Sequence, residues 1–141
     1  MPDQTLGQKR AAHALLAIKK LEEAKNYGNF GSYVQRLPAT IVMKGLGQAM
    51  AGELAAARLG RGANMSIDER AHKILFGCVE SWLFASRAYQ GERGLMVAIV
   101  ESSQEDYVRA QAEALAYLDW LKKFSQAYLN GGKDGSSALS T

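Results

Sequence analysis

The sequence predicts an all-α protein, a compact bundle of five or six helices in one domain over residues 1–129. Three observations predict it. Apolar residues recur at three- and four-residue steps through most of the chain, which places them on single helical faces. Hydroxyl residues stand three positions ahead of Gln or Glu at Thr5, Ser66 and Ser102, the spacing of a helix-starting capping box. Stretches rich in glycine and asparagine separate the apolar runs.

The first helix is expected from Thr5, with Ala11, Ala14, Leu15, Ile18, Leu21 and Ala24 on its buried face and Lys9, His13 and Lys20 on the opposite, solvated one. Asn26–Gly31 breaks it, and a short helical turn follows around Tyr33–Arg36. Pro38 suits the first position of a helix, where its missing N–H is harmless, so the next helix is expected from Pro38 to Leu59. Gly45, Ala49, Gly52 and Ala56 form a small-residue stripe on it, which predicts close approach of a neighbouring helix. Leu59–Asn64 ends it in a loop.

Ser66 opens a helix whose core face is Ala71, Ile74, Leu75, Cys78, Val79, Trp82 and Leu83. Leu95–Val100 is apolar and rich enough in Val and Ile to resemble a strand. It is assigned to helix, because a lone strand would have no partner in this chain. The last helix is expected from about Ser103 to Leu129, with a capping box on Ser102 and Glu105. Val108, Leu115, Leu118 and Leu121 line one face, and Tyr117, Trp120, Phe124 and Tyr128 the adjacent one. Core packing is the favoured role for these aromatics, and stacking of unpaired bases is the alternative. Residues 130–141, rich in Gly and Ser, read as a flexible tail.

A chain of 141 residues needs no disulfide or metal to hold a core. Its single cysteine, Cys78, rules out an intramolecular disulfide and fits a reducing cytoplasm. The N-terminus lacks the basic start and apolar stretch of a signal peptide, and no window approaches the ~18 apolar residues of a membrane span. A cytoplasmic protein without membrane contact is therefore expected. The net charge of +3 is unevenly distributed. Residues 1–62 hold nine basic and four acidic side chains, whereas residues 63–141 hold eight basic and ten acidic. A basic side could meet a polyanion, and basic and acidic sides together could join copies head to tail. Ordinary surface variation is the plain alternative.

No cofactor, metal or catalytic site is expected. The two histidines, His13 and His72, lie on different helices, and no paired-cysteine or acidic calcium-loop spacing occurs. His13 reads as an exposed histidine and Cys78 as a buried, inert thiol. Gly45-Leu46-Gly47-Gln48-Ala49-Met50 fails as a dinucleotide fingerprint, since Met50 replaces the third glycine and no strand precedes it. Glu101, Glu105 and Asp106 are explained by helix capping and the helix dipole. Glu22-Glu23 reads as a solvated pair beside lysines.

Several segments, taken in order, carry a resemblance. Arg10-Ala11-Ala12 opens a helix ending in Lys25-Asn26-Tyr27-Gly28. Arg36-Leu37-Pro38-Ala39 and Gly45-Leu46-Gly47-Gln48-Ala49 follow, then Trp82-Leu83. The chain closes on Ala98-Ile99-Val100-Glu101-Ser102, Tyr107-Val108-Arg109 and Ala114–Phe124. Over about Lys9 to Leu129 this resembles the small helical subunit of type III-B CRISPR effectors, the Cmr complexes; the loop at 60–64 and the tail fall outside it. The resemblance implies a non-enzymatic subunit, several copies of which stack beside the backbone subunits. With the large and backbone subunits as partners, they would line a basic channel holding guide RNA paired to target RNA. Lys9, Arg10, Lys20, Arg36, Lys44, Arg58 and Arg61 are the RNA-facing candidates, as they lie in the basic half and mostly outside the core stripes. Solvated surface charge is the alternative for each. A helical adaptor that binds only protein is the alternative function.

Overall fold

A computed structural model describes residues 3–129, apart from the side chain of Arg61. The predicted tail at 130–141 lies outside the described residues. The described residues form six α-helices and one 3₁₀ turn, with no strand. The helices are α1 (Leu6–Ala24), α2 (Phe30–Lys44), α3 (Leu46–Ala57), α4 (Ile67–Ala85), α5 (Leu95–Glu101) and α6 (Gln104–Tyr128), and the 3₁₀ turn covers Leu59–Asn64. The predicted bundle is thus found, and Leu95–Val100 is helical as assigned.

The local start signals at Thr5 and Ser66 act as their spacing implies. The Gln8 and Glu69 backbone N–H groups donate to the Thr5 and Ser66 hydroxyls, and the Gln8 and Glu69 side chains accept from the cap backbones. The third start differs by one residue. Ser103, not Ser102, caps α6, accepting from Asp106 N–H, while the Ser102 hydroxyl donates to the Ile99 carbonyl at the end of α5. Two adjacent serines offer two registers, and the end of α5 claims the first.

The expected helix from Pro38 to Leu59 is corrected at both its start and its middle. Its first part begins at Phe30, so Pro38 lies inside α2 rather than at its first position. The reason is burial. Phe30, Val34, Leu37 and Ile41 all face the core at helical spacing across the proline. Each such side chain contributes roughly 1.5–3 kcal/mol on burial, and together they outweigh the ~3 kcal/mol that an interior proline costs. The helix then breaks at Gly45, whose φ of +92° no helix can hold. The predicted small-residue stripe is also corrected. Gly45 does meet α6 at Tyr107, and Ala49 is buried, but a β-carbon at Gly52 would have nothing within 4 Å.

The core is one cluster, with α6 at its centre packing on α1, α2 and α4, and with α3 seated on α4, α2 and α5. Helices α1 and α6 run in the same direction, since Arg10 meets Glu113, His13 meets Tyr117 and Lys19 reaches Tyr128. The core face predicted for α4 is buried except at Ile74, which is half-buried. On α6, Leu118, Leu121 and Tyr117 are buried, but Val108 is exposed, a correction to its expected place on the apolar face. The first turns of α6 meet the bundle through Tyr107, Ala110 and Gln111, and Val108 falls on another side of the helix. Core packing holds for Tyr117 and half holds for Phe124, whereas Trp120 (37 % exposed) and Tyr128 (40 %) sit on the rim.

Candidate nucleic-acid interface

Helix α2 places Tyr33, Arg36, Thr40 and Lys44 along one side, at helical steps of three and four. Helix α3 turns back beside it because the chain reverses at Gly45. The two helices enclose an open groove of about 520 Å³. Its α2 wall carries Tyr33, Arg36, Thr40 and Lys44. Its α3 wall carries Gln48 and Glu53 among the small residues Ala51, Gly52 and Ala55.

The cations of this groove are not neutralised. Neither Arg36 nor Lys44 forms an ion pair among the described residues, and both are exposed. The one acidic lining residue, Glu53, is engaged elsewhere: His72 Nδ1–H of α4 donates to its carboxylate at 2.8 Å, with both side chains mostly buried. The His72 ring stacks on Tyr33 at 3.8 Å between centroids and an interplanar angle of 18°. The Arg36 guanidinium lies over the Tyr33 ring, 5.2 Å from its centroid. Four side chains from three helices therefore stand in series, Glu53 holding His72, His72 backing Tyr33, and Tyr33 supporting Arg36. An exposed cation–π contact contributes about 0.5–1 kcal/mol, enough to bias where an arginine rests.

The entrance to the groove is fixed from α6. The Leu46 N–H donates to Gln111 Oε1 at 2.8 Å, and the Gly47 N–H donates to Tyr107 Oη at 2.9 Å. Side chains of α6 thus satisfy the first N–H groups of α3, which lacks a capping side chain of its own.

The other predicted RNA-facing residues do not share this groove. Lys9 and Lys20 are exposed on α1 and make no ion pair among the described residues. Arg10 is half-buried and bonded through two nitrogens to the Glu113 carboxylate, which also accepts from Trp82 Nε1–H at 2.8 Å. Its donors are directed inward. Burial pushes the Glu113 carboxyl up, but hydrogen bonds from Arg10 and Trp82 and the charge of Arg10 outweigh it and hold the group below its ordinary value. The hydrogen bond to Glu113 in turn raises Arg10. Arg58 lies 3.6 Å from Glu69, and the side chain of Arg61 is outside the described residues.

His13 is corrected from an exposed to a half-buried residue. Its ring meets those of Trp82 and Tyr117 edge-on, Nδ1 is 2.7 Å from the Tyr117 hydroxyl, and Nε2 is 2.8 Å from Ser81 Oγ. Loss of solvent, with repulsion from Lys20, lowers its pKa. Cys78 is buried as expected, and burial pushes its thiol up to about 12. The acidic cluster at the junction of α5 and α6 has structural posts: Glu101 at the end of α5 pairs with Arg93, and Glu105 and Asp106 at the start of α6 pair with Arg109. Glu22 pairs with Lys19 at 2.9 Å.

Of the groove residues, sequence reasoning named Arg36 and Lys44 but missed Tyr33, His72 and Glu53, the series that supports Arg36. The i, i+3 spacing of Tyr33 and Arg36 was a usable signal. The position of His72 was not, because it depends on how α4 packs against α2.

The family model described as CRISPR-associated protein (Cas_Cmr5) matches residues 6–128. The chain belongs to this family. It is a small subunit of the Cmr, or type III-B, class of CRISPR-associated proteins, and the matched span runs from the first residue of α1 to the last of α6. The resemblance carried by the ordered sequence segments is therefore correct. Comparison with curated proteins gives no significant match. Other Cmr subunits are the partners that family membership indicates. Among the described residues no helix is long and apolar enough to cross a membrane.

Proposed function

We propose that this Cmr subunit is a non-catalytic, cytoplasmic RNA-binding component of the effector. Several copies stack beside the backbone subunits and line a basic channel for the guide RNA–target RNA duplex in antiviral defence. The observation that carries this reading is the set of exposed cations Lys9, Lys20, Arg36 and Lys44 in the basic half, which have no ion pair among the described residues. Cations left unneutralised by the protein suit phosphate contacts, which are independent of sequence and leave specificity to the guide. The engagement of its acidic groups supports a non-catalytic role. Glu113 holds Arg10 and Trp82, Glu53 holds His72, Glu80 accepts from the Leu95 N–H, and Asp68 accepts from Asn29.

A single copy offers few phosphate contacts and is expected to bind RNA weakly. A row of copies raises effective concentration and is expected to bind far better. The test replaces Lys9, Lys20, Arg36 and Lys44 together with Gln in complexes of verified equal composition, and measures target-RNA binding over a salt series. Binding should weaken equally for all target sequences, and the log–log salt slope should fall by ~0.7–0.9 per lost phosphate contact. Wild-type affinity and slope would reject RNA contact by these residues.

A protein-only adaptor is the second reading, favoured by the exposed apolar side chains Val42, Met43, Val100 and Val108. It predicts that the fourfold variant binds RNA normally, whereas polar replacements at Val42 and Met43 prevent assembly.

A further inference from the structure

We propose that the groove between α2 and α3 seats the phosphodiester backbone of one RNA strand, with Arg36 and Lys44 as the contacting cations and Tyr33 as the positioning residue for Arg36. This inference rests on the RNA-binding reading above and narrows it to one site.

Three features of the groove point to an extended polyanion rather than a compact ligand. It is open to solvent and about 520 Å³ in volume. Arg36 and Lys44 are eight residues apart on one helix, hence about 12 Å apart along its axis, which suits successive contacts along a strand. The facing wall is nearly bare, with Ala51, Gly52 and Ala55 where long side chains would obstruct a backbone, and open space beside Gly52. Gln48 supplies a neutral amide donor on that wall.

Among the described lining residues the two cations outnumber the one carboxylate, Glu53, which bonds to His72 and pairs with neither Arg36 nor Lys44. The same His72 ring stacks on Tyr33, and the Arg36 guanidinium also lies over the Tyr33 ring. The guanidinium thus rests beside an aromatic ring instead of a carboxylate, and no described residue accepts from its five N–H donors, which suit phosphate oxygens. Arg10 shows the contrast, since Glu113 occupies its donors.

The experiment uses reconstituted complexes of equal composition and a labelled RNA complementary to the guide, titrated over salt. The double variant Arg36→Gln/Lys44→Gln should lower the log–log slope by about 1.4–1.8, the loss of two contacts, alike for all target sequences. Lys9→Gln/Lys20→Gln should change it less. Tyr33→Leu should weaken binding in the same direction as Arg36→Gln, and Tyr33→Phe, which keeps the ring, should restore wild-type behaviour. Circular dichroism of each free subunit checks that the fold is retained. Wild-type slope in the groove variant, with loss in the α1 variant, overturns the groove while RNA binding stands. Wild-type behaviour in both, and in the fourfold variant, overturns both readings. Failure of the folded groove variant to assemble makes this face a protein interface and also overturns the inference.

Discussion

The Arg10 guanidinium, the Glu113 carboxylate and the Trp82 indole form one hydrogen-bonded unit that ties α1, α6 and α4 together. Removing Arg10 would leave a half-buried carboxylate short of donors, whereas RNA would lose nothing within its reach. Arg10→Gln is therefore expected to destabilise the free subunit by about 1–3 kcal/mol, the range for hydrogen bonds to charged groups, with no change in the salt slope of RNA binding by assembled complexes. Chemical denaturation and the salt series together check both halves. His13, next to this unit, gives stability a pH dependence. Its pKa is lowered on folding from an ordinary value of 6.5, so the unfolded chain takes up the proton first. Stability should be full above pH 6.5 and decline as pH falls below it. Glu113, also lowered on folding, adds a second loss in the same direction below 4.5. In a Tm–pH profile, His13→Gln should remove the first decline and keep the second. An unchanged first decline would assign it to another group.

At the scale of elements, the turn between α2 and α3 decides where the groove lies. Gly45 sits at φ +92°, and a β-carbon there would stand 2.8 Å from Tyr107 Oη, the hydroxyl that accepts from Gly47 N–H. Gly45→Ala should therefore combine backbone strain with displacement of a cap, at a cost of about 1–3 kcal/mol. Gly52→Ala, on the open wall, has no such contact and should be neutral or slightly stabilising, by up to ~1 kcal/mol from helix propensity. A pair of melting curves separates the two glycines, and equal losses would refute this assignment of roles. Pro38 teaches the complementary lesson. A residue that suits a helix start can lie within a helix when the apolar face on both sides of it is buried.

At the scale of the molecule, a single core cluster joins all six helices, and Trp82 lies inside it. With no second core to melt separately, unfolding should be one transition. Loss of far-UV circular dichroism and the shift of Trp82 fluorescence in a Trp120→Phe background should coincide in denaturant. Separate midpoints would mean that the α2–α3 pair unfolds on its own. The charge asymmetry read from composition also takes shape at this scale. Its exposed cations sit on separate elements, Lys9 and Lys20 on α1 and Arg36 and Lys44 on α2, and of these only the α2 pair lines the groove. Ion pairing then sorts the cations further, engaging Arg10 and Arg58 and leaving Arg36 and Lys44 free of carboxylates among the described residues.

The sequence by itself determined whatever depends on residues within about one helical turn. The capping boxes at Thr5 and Ser66 and the buried face of α4 were legible because each rests on positions three or four apart, and Leu95–Val100 was assigned to helix because a lone strand would have no partner. The family was legible too, because its segments keep their order along the chain. The tertiary structure alone decided which charged and polar groups meet. His13 and Tyr117 are 104 positions apart, Arg10 and Glu113 are 103, and the Glu53–His72 pair beside the groove spans two helices. Periodicity says that a helix has a polar face, but not which neighbour will cover part of it. That choice is made by the packing of α1, α4 and α6, which withdrew Arg10 and His13 from solvent, and by the reversal at Gly45, which set a bare wall opposite Arg36 and Lys44.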